Sequence, residues 1–158
     1  MKNYLLYDKA LEALTRRGVD LIRLAQVVYD LQSPYQKGLT VDICHENILK
    51  VLSKTEVQHT VITGIQMDEL AEKKLWEGPL QTIIENDESL YGIDEILALS
   101  IVNLYGTIAS TNFGYLDKLK PGIIGEYNNK TKGEVHTFLD DILSALAASA
   151  CSRLAHSK

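Results

Sequence analysis

The chain has 158 residues, 46% of them hydrophobic, which is enough for one ordinary domain with a sizeable core. Sixteen Lys and Arg against 21 Asp and Glu leave a formal net charge of −5, and this excludes the basic footprint that duplex nucleic acid requires. Two cysteines, Cys44 and Cys151, stand far apart and in no zinc-type spacing, so both are expected as reduced, buried thiols.

The N-terminal run MKNYLLYDKALEAL threads charges through its apolar positions, unlike the uninterrupted hydrophobic region of a secretory signal, and a cytoplasmic protein is expected. Leu5, Leu6, Ala10, Ala13 and Leu14 fall at three- and four-residue spacings and predict a first helix that Gly18 stops. A second helix runs from Asp20 to Leu31 and ends at Ser33-Pro34. Thr40 caps a third helix that passes through Ile43, Ile48 and Leu52. Ser53-Lys54-Thr55-Glu56 matches a capping box for a fourth, expected to reach Lys74. A short helix over Leu80 to Glu85 then leads into the acidic stretch Glu85-Asn86-Asp87-Glu88.

From Ile93 to Ile108 the pattern is apolar on nearly every side except at Asp94, Glu95, Ser100 and Asn103, which predicts a central, buried helix. The longest apolar stretch, Ile96 to Ser110, falls short of the ~20 residues that span a bilayer. Thr111 to Gly133 is rich in Gly, Asn and Lys and contains Pro121, so it reads as loop with short helical pieces and as the expected functional loop. A last helix, from Val135 to Ala155, carries a face of small residues, Ser144, Ala145, Ala147, Ala148 and Ser149, with Asp140 and Asp141 in its early turns. Such helices fit either deep burial or a homo-oligomer interface. With no internal repeat and no strand-like alternation, the expected architecture is all-α, one multi-helix bundle over residues 1–158 with a buried apolar central helix.

Three acidic positions bear on chemistry: Asp94-Glu95, Asp117 with Lys118 and Lys120 beside it, and Asp140-Asp141. Mg²⁺ is a hard cation that takes oxygen ligands, so carboxylates from separate segments are the ligand type it needs. A phosphomonoester would add about two negative charges for the metal and Lys120 to offset, and a carboxylate or His136 could handle a proton. The competing structural reading is that acids in a first helical turn are favoured by capping and the helix dipole alone. Carboxylates that open long apolar helices nonetheless need partners or a cation. His45, His59 and Cys151 lack a neighbouring ligand or base, and Ser100 and Ser144 lack a nucleophile-elbow pattern, so all five read as structural. Tyr105, Phe113, Tyr115 and Tyr127 fit either a groove lining or helix packing.

Ile93-Asp94-Glu95-Ile96, Tyr115-Leu116-Asp117-Lys118-Leu119-Lys120-Pro121 and Phe138-Leu139-Asp140-Asp141-Ile142 resemble, in the same order, three motifs of the phosphatidylglycerophosphatase A family. The resemblance is strongest over residues 90 to 156, and the chain as a whole is similar to the branch of low-temperature-requirement C proteins. Two features depart from the family pattern: Tyr115 stands for the usual Phe, and the Gly/Pro-rich N-terminal motif of membrane-bound members is not recognisable in residues 1 to 40. The resemblance implies a Mg²⁺-dependent phosphatase of a phosphomonoester, with phosphatidylglycerophosphate as the candidate lipid substrate. It implies metal ligation by Asp94, Glu95, Asp117, Asp140 and Asp141 and phosphate binding by Lys120, with Lys118 beside it. Asp117, Asp140 and His136 are then the candidate catalytic groups. A member without transmembrane helices would contact the membrane peripherally, at its inner face. The alternatives are a phosphatase of a soluble phosphoester and a non-catalytic metal-binding module that acts through a protein partner.

Overall fold

The computed structural model describes residues 2–129 and 133–157. Within them the chain forms nine α-helices and no strand, as the sequence predicts. The helices are α1 (Lys2–Arg16), α2 (Leu21–Gln32), α3 (Val41–Leu52), α4 (Thr55–Glu72), α5 (Pro79–Glu85), α6 (Ile93–Val102), α7 (Thr107–Leu119), α8 (Ile123–Asn128) and α9 (Leu139–His156). A single 3₁₀ turn, Ser33–Tyr35, follows α2 where Pro34 forbids its continuation.

Capping follows the sequence closely in the first half. Asp20 accepts from the Ile22 N–H to start α2, and Thr40 accepts from the Ile43 N–H to start α3. The capping box expected at Ser53 is not formed. Ser53 closes α3 by donating to the Lys50 carbonyl, and α4 begins at Thr55 with Lys54 as an uncapped N-cap.

The buried central helix is α9, against which α2, α3, α4, α6, α7 and α8 all pack. Every residue from Leu139 to Ser152 is buried. Six neighbours can crowd one helix because half of its residues from Leu139 to Ser152 are Ala or Ser, which lets neighbouring backbones approach closely. The small-residue face is therefore spent on the chain's own core. Cys151 lies buried within it and Cys44 is likewise buried, both as free thiols.

Two expectations for the second half change. The helix from Ile93 to Ile108 is broken: α6 ends at Val102, the chain turns through Asn103 to Gly106, and α7 starts at Thr107. Gly106 has φ +87, a conformation that a residue with a Cβ rarely adopts, and this places the break. The expected loop from Thr111 is mostly helix, as α7 and α8, while residues 130–132 of it lie outside the described residues. Apolar Ala109, Phe113 and Leu116 recur at helical spacing there and are buried, and this packing overrides the Gly and Asn content.

α4 lies close against the start of α9 at Gly64. A Cβ built on Gly64 would lie 2.3 Å from Ile142 Cδ1 and 3.4 Å from the Phe138 Cβ. Gly64→Val is accordingly expected to lower the unfolding free energy by about 1–3 kcal/mol through overpacking. Urea denaturation followed by circular dichroism measures it, and an unchanged midpoint would show that α4 and α9 can separate freely.

Candidate active site

Three segments that are distant in sequence meet at the start of α9. Asp94 and Glu95 occupy the first turn of α6, Asp117 the last turn of α7, and Asp140 and Asp141 the first turn of α9. The α6–α7 turn folds the two helices back on each other, and both pack on α9, so the end of α7 returns to the start of α6. Asp94, Asp140 and Asp141 are buried, and Asp117 is half-buried.

Lys120 holds the centre of this group. Its Nζ donates to Asp117 Oδ1 at 3.1 Å and to Asp140 Oδ2 at 3.2 Å. Burial opposes the ammonium charge, but the Asp140 and Asp117 carboxylates outweigh it and raise the Lys120 pKa. The backbone there is unusual. Lys120 is left-handed at φ 47, ψ 57, and its N–H closes α7 on the Leu116 carbonyl at 2.7 Å. A Cβ on Gly125 would lie 2.6 Å from the Lys120 carbonyl oxygen, so a glycine is needed where α8 packs under this turn.

Three of the acids are perturbed. Burial pushes the Asp141 carboxyl up, and the charge of Asp140 and hydrogen bonds with Asp117 and Asp94 push it further. Burial also raises Asp140, with Lys120 working against the shift and Asp87 adding to it. Glu95 is raised by burial and by Asp117 and Asp94. One Asp140 oxygen, Oδ1, is buried with no hydrogen-bond partner.

These observations test the group for a metal. Among the described residues no set of three or more His, Cys, Asp or Glu side chains is spaced, as it stands, to hold an ion. The donor chemistry does fit a hard cation. All five side chains offer oxygen, burial and neighbouring charge raise the Glu95, Asp140 and Asp141 carboxyls, and a buried carboxylate oxygen has no partner.

Of the residues singled out in sequence, Asp94, Glu95, Asp117, Lys120, Asp140 and Asp141 come together. Lys118 is exposed on the surface of α7. His136 is turned away from the acids. Its Nδ1 lies 3.1 Å from the Arg17 guanidinium, its Nε2 lies 3.0 Å from Glu134, and its ring meets Tyr127 edge-on. Two residues escape sequence reasoning. Asp87, in the acidic stretch before α6, raises Asp140 electrostatically. Asp68, on α4, is fully buried and accepts the Phe138 and Leu139 N–H groups. Its only sequence signal is its place four residues after Gly64 and three before Ala71, on a helix face that is otherwise apolar.

The family model described as phosphatidylglycerophosphatase A matches residues 23–156, which takes in all three acidic segments. The chain belongs to the phosphatidylglycerophosphatase A family. Membership points to a phosphatase of the phosphatidylglycerophosphatase type. Among similar proteins of the family branch, the uncharacterized protein YutG of Bacillus subtilis is 54% identical over 148 residues, covering 94% of this chain and 89% of that one. The uncharacterized protein YpjQ of the same organism is 52% identical over 159 residues, covering 99% and 89%. The crystal structure of low temperature requirement C protein from Listeria monocytogenes superposes with a TM-score of 0.93 at 56% identity, covering 96% of both chains.

The crowded acids carry a pH signature. The folded pKa values of Asp140 and Asp141 lie above the unfolded value of about 3.9. The folded state therefore binds more protons than the unfolded state above that value, and stability falls as pH rises from it. Glu69, paired with Arg16, is held low; burial opposes the same effect in Glu72, but Arg17 and the Val135 N–H prevail, so neither titrates between pH 5 and 8. In EDTA the urea midpoint is expected to be lower at pH 8 than at pH 5, and Asp141→Asn should narrow that difference. Equal midpoints for the wild type would contradict the assignment of buried, proton-retaining acids.

Proposed function

We propose that this protein is a Mg²⁺-dependent phosphatase that hydrolyses a lipid phosphomonoester, with phosphatidylglycerophosphate as the substrate. The observation that carries the reading is the Lys120 ammonium held between Asp117 and Asp140, at the meeting point of three acidic segments. A cationic donor beside a buried carboxylate oxygen without a partner suits a phosphate and its counter-ion, and it is hard to explain as a fold-stabilising pair alone.

Asp94, Glu95, Asp117, Asp140 and Asp141 would hold the metal, which supplies charge neutralisation at the phosphoryl oxygens and acidifies a water. Lys120 Nζ binds a phosphate oxygen and orients the ester. Asp140 sits beside Lys120, and the carboxylate oxygen that the ion does not take can pass a proton between water and the leaving alcohol oxygen. In the net reaction water adds to phosphorus, the P–O ester bond breaks, and the leaving oxygen takes a proton, giving an alcohol and inorganic phosphate. Burial of the α9 end keeps bulk water from Asp94, Asp140 and Asp141.

A lipid substrate is supported from two sides. A groove of about 320 Å³ reaches Pro121, the residue after Lys120; Val27, Leu31, Tyr115 and Ile123 line it together with Arg23, Gln26 and Asp30, and its apolar side offers a place for the part of the substrate beyond the phosphate. The sequence also has no Asp, Glu, Lys, Arg or His between Glu95 and Asp117, although Ile96, Leu104, Ile108 and Tyr115 are exposed there. The outer face of the α6–α7 hairpin can thus rest on a bilayer without desolvating a charge, bringing the site at its end to the lipid headgroups. Among the described residues no helix is long and apolar enough to cross a membrane, so the contact would be peripheral, at the inner face.

The test is phosphate release by the purified protein with Mg²⁺, using phosphatidylglycerophosphate in mixed micelles beside glycerol 3-phosphate. Release selective for the lipid and abolished by EDTA is expected, and Asp140→Asn should lower it by about 100- to 10,000-fold with the helical circular dichroism unchanged. Equal release from glycerol 3-phosphate would point to a soluble phosphoester. Mg²⁺ binding without any release would replace the enzyme with a metal-binding module.

A further inference from the structure

Asp68 lies outside the three acidic segments, on α4, with none of its surface exposed. Its two oxygens are both used: Oδ1 accepts the Phe138 N–H at 2.9 Å and Oδ2 the Leu139 N–H at 3.0 Å. These are the first amides of α9, immediately before Asp140. The first turn of a helix leaves its N–H groups without internal partners, and the N-cap residue normally supplies one from its own side chain. Here the N-cap is Phe138, which has no acceptor, so the cap comes from another helix.

The same stripe of α4 continues in both directions at four-residue steps. Gly64 lets α4 close on Ile142 and Phe138. Glu72 accepts the Val135 N–H at 2.9 Å and holds the Arg17 guanidinium through both oxygens, at 2.7 and 2.8 Å. Arg17 in turn donates to the Val135 carbonyl at 2.9 Å. Gly64, Asp68 and Glu72 therefore fix the register of the chain from Val135 to Ile142 along α4. Sliding α9 by one residue, about 1.5 Å along its axis, would break both Asp68 bonds and part Asp140 from Lys120.

We infer that Asp68 is a positioning residue for the reaction. It acts through the backbone of the α9 start and sets where the Asp140 and Asp141 carboxylates stand relative to Lys120. It touches neither the substrate nor the metal. The kinetic part of this inference rests on the phosphatase reading, and the structural part does not.

The test compares Asp68→Asn with wild type. Asparagine keeps one acceptor oxygen and sets an amide NH₂ against the second N–H, so one bond is lost with little change of shape. At a temperature where both proteins are fully folded, kcat for phosphate release is expected to fall about 10- to 100-fold. KM should stay within about threefold, because Lys120 remains in place. Asp68→Ala, which leaves two buried N–H groups unpaired, should lose more. Asn47→Ala, which cuts side-chain bonds to Ile43 and Arg153 near the far end of α9, serves as a control and should keep the wild-type kcat even where it lowers Tm. An Asp68→Asn protein with lowered Tm but wild-type kcat would reduce Asp68 to a stabilising cap and overturn the inference. Amide hydrogen exchange decides the structural part without activity. Whichever of Phe138 and Leu139 loses its bond should exchange at least about 10-fold faster in Asp68→Asn, as loss of a helix-start bond implies, and unchanged exchange at both would overturn it. Should the wild type release no phosphate, the functional reading fails and the exchange result still stands for or against Asp68.

Discussion

A helix buried on all sides has to find protein partners for its ends, and α9 is such a helix from Leu139 to Ser152. Its first amides are out of reach of water, so leaving them unpaired would cost about 1–3 kcal/mol each. Asp68 satisfies two of them from α4, while Arg17 and Glu72 anchor the segment just before, and Thr137 donates to the Ile84 carbonyl of α5. The position of every site residue on α9 follows from this one junction. Without it the small residues of α9 would let the helix slide among its neighbours, since Ala and Ser offer few protrusions that lock a register.

The same junction concentrates charge in an interior that resists it. Asp68, Asp94, Asp140 and Asp141 are all buried, with Asp117 and Lys120 half-buried beside them. One ammonium does not neutralise that many acids, and the balance is met by protons held on carboxyls whose pKa values burial and mutual repulsion have raised. An arrangement of this kind lowers the stability of the free protein at neutral pH, and its retention in the fold is understandable if a cation and a phosphate are the partners that relieve it. Stability and function pull in opposite directions here, and the separation is spatial: apolar packing fills the length of α9 while the unresolved charge sits at its N-terminal end.

The α6–α7 hairpin shows how a local break makes the site. A single helix through Ile108 would have carried residue 117 more than 30 Å from Asp94, at about 1.5 Å per residue. The turn at Asn103 to Gly106 sends α7 back along α6 instead, and Asp117 and Lys120 return to the end where Asp94 and Glu95 start. Gly106, with its positive φ, and Gly125, pressed against the Lys120 carbonyl, are backbone requirements of this return.

The sequence by itself determined the helical class, most boundaries in the first half, and the identity of the acidic clusters, because helical periodicity, capping residues and short motifs are local signals. It also pointed to α9 as a close-packing helix through its Ala and Ser content. Only the tertiary structure decided what depends on distant contacts. It broke the helix after Val102, because apolar spacing continues across a turn that only packing can place. It formed α7 where Gly and Asn suggested loop, because burial of Ala109, Phe113 and Leu116 outweighs weak propensity. It turned His136, expected as a candidate proton carrier, toward Arg17 and Glu134, because those partners are distant or loop residues whose placement no local pattern encodes. It brought in Asp68 from a helix with no motif, because a cap supplied across 70 residues of sequence leaves no local trace.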